Sequence, residues 1–144
     1  MKETVKVLVV EDEYITAKTL SNFLEDSGYN VVGCAMDVDE ALNYLETDEI
    51  DCVILDINLN DKKDGVWLAH TIKEKYYIPY IFLTAYTDKS TIERAIGSSP
   101  YGFLAKPFQK VELFTAIEIA LRKHNELSLV HQVTTQNKKP KTLF

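Results

Sequence analysis

The chain predicts an α/β domain, a parallel sheet covered by helices on both faces. Two observations carry the prediction. Short apolar runs bounded by polar residues recur along the chain, and each gives way to a stretch with helical periodicity. The runs are nearly continuous rather than alternating, as strands buried on both faces are. Five such β/α units in strict alternation imply parallel pairing through helical crossovers. Right-handed crossovers leave few topologies, and pattern alone does not fix the strand order.

The elements follow in order. Residues 5–10 form the first strand and run into Glu11-Asp12-Glu13. A helix follows over 15–24, with Ile15, Thr19, Leu20, Phe23 and Leu24 on one face, and Ser27-Gly28 closes it. Residues 29–35 are the second strand. Asp37 can cap a helix reaching about residue 45, with Glu40 as its capping-box partner. Cys52–Asp56 is the third strand. The third helix starts after Asp64-Gly65 and carries Val66, Leu68, Ala69 and Ile72. Tyr77-Ile78-Pro79 leads into a fourth strand, 80–83, which runs into Thr84. Asp88 looks like the cap of a helix over 89–96 that ends at Gly97. Gly102–Ala105 is the fifth strand and delivers Lys106-Pro107. The last helix spans 109 to about 126, with Leu113, Ala116, Ile117, Ala120 and Leu121 facing inward. Beyond that the pattern fades. The expected organisation is one domain over residues 1–126, then a linker or the truncated start of a further output domain over 127–144.

Bulk properties narrow the function. The chain has 144 residues, 46% hydrophobic and 26% charged, ordinary for one globular domain. Its apolar runs are too short to span a bilayer and its N-terminus lacks a signal-peptide pattern, so no membrane association and a cytoplasmic location are expected. Cys34 and Cys52 fall in strands and read as reduced packing residues. His70, His124 and His131 show no ligand spacing and read as surface or helix-flank residues. The net charge is −6; residues 1–126 hold 13 basic and 22 acidic side chains, a net of −9, and residues 127–144 hold three lysines (Lys138, Lys139, Lys141) and no acid. An acidic body repels a phosphate backbone, so direct nucleic-acid binding by this domain is not expected.

The chemistry sits at the strand ends. Glu11, Asp12 and Asp56 would gather three carboxylates at one sheet edge, where open α/β folds keep their ligand crevice. Alone they repel and raise one another's pKa. A hard divalent cation removes the conflict, and an open carboxylate-plus-water shell suits Mg²⁺. Such an ion can neutralise an incoming phosphoryl group, and an aspartate can attack phosphorus to form an acyl phosphate. Thr84 and Lys106 then offer a hydroxyl and an ammonium to the other phosphoryl oxygens.

The set Glu11-Asp12, Asp56, Thr84-Ala85 and Lys106-Pro107 resembles the receiver domain of two-component response regulators, over about residues 5–126. The resemblance implies a flavodoxin-like fold with strand order 2-1-3-4-5. It implies that Asp56 is the phospho-acceptor, that Glu11 and Asp12 organise Mg²⁺ with the backbone carbonyl of Asn58, and that the Lys106–Pro107 bond is cis. Phe103 falls at the family's switch aromatic, with Thr84 as its partner in switching. The implied donor is a histidine kinase, and the implied output is a change in the helix 4–strand 5–helix 5 face, a surface through which two copies can pair. Such a receiver catalyses only its own phosphorylation and dephosphorylation, and is a signalling switch rather than a metabolic enzyme. Asn60 stands where many members have proline, and the loop from Asn58 to Gly65 is one residue longer than usual, with Lys62-Lys63 inserted.

Other classes compete poorly. A phosphorylation-independent interaction module would be marked by loss of the acceptor, the lysine or the acid pair, and none is lost. An aspartyl-phosphate hydrolase wants Asp-x-Asp after the first strand, where this chain has Glu11-Asp12-Glu13. A flavin-binding flavodoxin needs a phosphate loop there, and three acids would repel it.

Overall fold

A computed structural model of the chain describes residues 4–59, 64–85 and 89–138, with side chains as far as residue 130. Five strands alternate with five helices: β1 (Lys6–Val10), α1 (Tyr14–Asp26), β2 (Asn30–Ala35), α2 (Val38–Thr47), β3 (Cys52–Asp56), α3 (Gly65–Thr71), β4 (Tyr80–Thr84), α4 (Lys89–Gly97), β5 (Gly102–Ala105) and α5 (Lys110–Lys138). The sheet is wholly parallel in the order β2-β1-β3-β4-β5. This is the flavodoxin-like architecture.

Alternation along each strand divides the core. Leu8, Val10, Val53, Leu55, Tyr80 and Phe82 face α2, α3 and α4, meeting Ala41, Leu45, Leu68, Ile72 and Ala95. Val7, Val9, Cys52, Ile54, Ile81 and Leu83 face α1 and α5, meeting Leu20, Leu24, Leu113, Ile117 and Ala120. Every residue of β3 and β4 is buried, which explains why those strands read as unbroken apolar runs.

Local chemistry sets the helix ends. Ser27 follows α1 and Gly28 takes the left-handed φ of 91° that turns the chain into β2. Asp37 accepts from the Glu40 N–H at 2.8 Å. The expected reciprocal bond is displaced by one residue: Glu40 Oε1 accepts from Met36 N–H at 2.7 Å rather than from Asp37. Asp64 caps α3 through the Trp67 N–H at 3.1 Å. After Thr71 the helix widens into one π turn, Ile72–Tyr76, closed by Tyr77 N–H donating to the Ile72 carbonyl at 2.8 Å. That turn was not expected from the sequence.

The last helix also departs from expectation. The pattern ends it near residue 126, whereas α5 runs to Lys138. Leu127, Leu129 and Val130 are all more than half exposed, so burial does not dictate the helix over residues 127–130; an unbroken run without Gly or Pro permits it. The expected cap Asp88, the loop residues Asn60, Lys62 and Lys63, and the tail lysines Lys139 and Lys141 lie outside the described residues. Cys34 and Cys52 are free thiols in β2 and β3. His70 is exposed, but His124 is half-buried: its Nδ1 lies 3.1 Å from the Tyr101 hydroxyl, and its ring packs on Tyr77.

Candidate acceptor and metal site

The C-terminal edge of the sheet brings the strand-end residues together. Asp56 is the last residue of β3 and Thr84 the last of β4. Glu11 follows β1 and is held by its N–H to the Ala35 carbonyl at 2.9 Å; Lys106 follows β5 and donates its N–H to the Thr84 carbonyl at 2.8 Å. The backbone ladder thus continues one residue past β1 and β5, which fixes where these two side chains start.

Ligating oxygens of Glu11, Asp12 and Asp56 lie within 4.8 Å of one another. Asp56 Oδ1 accepts from the Asn58 N–H at 2.9 Å, and Oδ2 accepts from Lys106 Nζ at 2.9 Å. An open cavity of about 490 Å³ lies beside them, lined by Asp12, Glu13, Asp56, Asn58, Leu59, Ala85 and Lys106. Thr84 is buried, at the end of the strand next to Asp56. The Lys106–Pro107 peptide is cis. Phe103 stands apart from this cavity. It is half-buried, packs on Phe82 with ring centroids 5.8 Å apart, and lines a groove of about 630 Å³ against α5.

Glu11 is fully buried. Its Oε2 accepts from the Glu13 N–H at 3.2 Å. Its Oε1 is 2.9 Å from Lys106 Nζ, an ion pair set too obliquely to make a hydrogen bond. Burial, reinforced by the Asp56 charge and opposed by Lys106, pushes the Glu11 carboxyl up to about 7. For Lys106, burial alone would lower the pKa, but the Glu11 and Asp56 carboxylates more than offset it and the net shift is upward. The lysine stays charged.

This chemistry fits a hard divalent cation. The donor set is all oxygen, and Glu11 Oε1 has a lone pair without a hydrogen-bond donor in a site of excess negative charge. Glu11, Asp12 and Asp56 are the residues that could hold it.

One participant was not assigned a role from sequence. Glu13 Oε1 accepts from Lys106 Nζ at 3.3 Å. The only sequence signal was the third acid of Glu11-Asp12-Glu13, which gives no hint of a partner 93 residues away.

Comparison with known proteins identifies the class. The sequence model of the response regulator receiver domain matches residues 7–118, and the chain belongs to that family. The transcriptional regulatory protein PdtaR of Mycobacterium tuberculosis is 33% identical over 138 residues, which cover 95% of this chain and 67% of PdtaR. The signal receiver domain of a modulated diguanylate cyclase from Desulfovibrio desulfuricans superposes with a TM-score of 0.81 at 35% identity, covering 85% of this chain and 98% of that domain. The chemotaxis response regulator CheY4 of Vibrio cholerae gives 0.73 at 26% identity, covering 83% and 100%. The chain is therefore a receiver-type signalling switch, of a kind that ordinarily works with histidine kinases. Among the described residues no helix is long and apolar enough to cross a membrane.

Proposed function

We propose that Asp56 accepts a phosphoryl group from a histidine kinase in a Mg²⁺-dependent reaction, and that its modification switches the α4–β5–α5 face. The observation that carries the reading is Asp56 itself, a strand-end carboxylate held by Lys106 at 2.9 Å within 4.8 Å of two further acids. Mg²⁺ bound by Glu11, Asp12, Asp56 and the Asn58 carbonyl supplies charge neutralisation for the phosphoryl oxygens. An Asp56 carboxylate oxygen attacks phosphorus, and the bond from phosphorus to the donor's imidazole nitrogen breaks with its electron pair staying on nitrogen. The Asn58 N–H keeps the carboxylate oriented. Lys106 and the Thr84 hydroxyl receive the phosphoryl oxygens.

The switch then runs through Thr84 and Phe103. A hydroxyl drawn toward the phosphoryl group vacates space that the Phe103 ring, already against Phe82, can enter. The groove beside it carries exposed Val111 and Ile119, with Ile96 exposed on α4, a surface suited to an effector or to a second copy. A charge-assisted contact of ~1.5–3 kcal/mol is large enough to shift two states separated by a few kcal/mol. Residues 127–144 are read as a connector to an output domain, in keeping with the helical continuation of α5 and with the greater length of PdtaR. The acidic body makes no direct nucleic-acid contact in this reading, and the domain works in the cytoplasm. Intact-mass measurement after incubation with acetyl phosphate tests it: one added phosphoryl with Mg²⁺, none with EDTA and none in Asp56→Asn. Equal labelling of Asp56→Asn refutes it.

A further inference from the structure

Lys106 sits among three carboxylates, not two. Its Nζ donates to Asp56 Oδ2 at 2.9 Å and to Glu13 Oε1 at 3.3 Å, and pairs with Glu11 Oε1 at 2.9 Å. An ammonium has three N–H groups; two are hydrogen-bonded to Asp56 and Glu13 and Glu11 Oε1 holds a third side as an ion pair, so an arriving phosphoryl oxygen competes with these contacts. On the receiver reading, on which this inference rests, Lys106 turns to a phosphoryl oxygen once Asp56 is modified. One of its contacts must then be given up. Glu11 is fully buried and Asp56 carries the new group. Glu13 has the longest contact and a side chain 65% exposed, so water can replace the lysine there most easily.

The local structure of Glu13 points the same way. It occupies the N-cap position of α1 but makes no side-chain capping bond. A residue there ordinarily directs its side chain to the first-turn N–H groups. The Glu13 carboxylate instead takes a bond from Thr16 Oγ1 at 3.2 Å and reaches Lys106 on the far side of the site.

We infer that Glu13 is a positioning residue that holds the Lys106 ammonium in the unmodified site and must release it for Asp56 to be phosphorylated. The contact stabilises the starting state alone, so removing the Glu13 charge speeds modification and strengthens binding of a phosphoryl mimic. A partly exposed ion pair is weak, and the expected gain is about two- to fivefold.

The test compares wild type, Glu13→Gln and Glu13→Ser. Gln keeps the side-chain shape, and Ser is a good helix cap, so neither variant should melt below wild type. Two readouts are taken with Mg²⁺ present: the rate of labelling by acetyl phosphate, and the affinity for fluoroberyllate by calorimetry. Both should rise about two- to fivefold in both variants. In a Lys106→Ala background the Glu13→Gln gain should shrink toward none, because the contact it removes is already absent. An equal gain there would mean that Glu13 merely repels the anionic donor, and overturns the positioning role. Labelled wild type matched by Glu13→Gln in both readouts overturns the inference alone. Wild type that takes no label overturns the receiver reading and the inference with it.

Discussion

Gly65→Ala is the most informative single substitution in the scaffold. Gly65 opens α3, and its N–H donates to the Ile57 carbonyl at 3.1 Å. A Cβ built there would lie 2.1 Å from the Asp56 carbonyl oxygen, 2.9 Å from that of Ile57 and 3.0 Å from the Asp56 carbonyl carbon. All three are backbone atoms, so no side-chain rotation relieves the clash. The Cβ and the Asp56 oxygen must separate by about 1.3 Å or more before the contact becomes ordinary. Overpacking of this kind costs about 1–3 kcal/mol. The gain from replacing glycine in a helix offsets only ~0.5–1 kcal/mol. A net loss of about 1 kcal/mol lowers the melting midpoint of a domain this size by about 3–5 °C. The displaced atoms belong to the acceptor residue, so Mg²⁺ affinity should fall as well. Calorimetric melting of Gly65→Ala beside Gly97→Ala is the assay. A Cβ at Gly97 meets nothing within 4 Å, and that variant should be neutral or stabilised. A Gly65→Ala midpoint equal to or above wild type would refute the close approach of α3 to the end of β3.

Further outcomes follow from the same geometry. Glu11 titrates near 7 in the folded domain against an ordinary value of 4.5, so between those values the folded state binds more protons than the unfolded one. Metal-free stability should therefore be highest below about pH 4.5 as far as this group is concerned, fall as pH rises through 7 and then level off; denaturant midpoints against pH should flatten over that window in Glu11→Gln. Lys106→Ala should stay folded but lose the response to modification, so that fluoroberyllate with Mg²⁺ no longer shifts NMR signals of α4 and α5; wild-type shifts in that variant would make Lys106 a structural residue only. Burial pushes the Cys52 thiol up to about 12, whereas Cys34 is only partly buried. Iodoacetamide should thus modify Cys34 alone in the native protein and both thiols in denaturant, as read by intact mass.

Strands and caps were legible in the sequence wherever burial or a single side chain decides the local structure. The continuous apolar run of β3 reports burial on both faces, and Asp37 caps the helix that follows it. The strand-end residues were legible because each ends an apolar run, and the resemblance then supplied the strand order. What was missed has no local sequence pattern. The continuation of α5 beyond residue 126 carries Leu127, Leu129 and Val130 without a single buried face, so hydrophobic periodicity has nothing to report. The π turn at Ile72–Tyr76 is a shift of one hydrogen-bond register, ended by Tyr77 at φ 54°, and no composition marks it. Glu13 read as one acid among three, because its lysine comes from β5 and the sheet alone brings the two together.

The most direct measurement is to locate the phosphoryl group chemically. Borohydride reduces an aspartyl acyl phosphate to homoserine, which peptide mass mapping can place. After reaction with acetyl phosphate and Mg²⁺, the account predicts homoserine at position 56 and nowhere else, and none when EDTA is present. Homoserine absent from position 56, or reduction at Asp12 or Glu11 in its place, would contradict it.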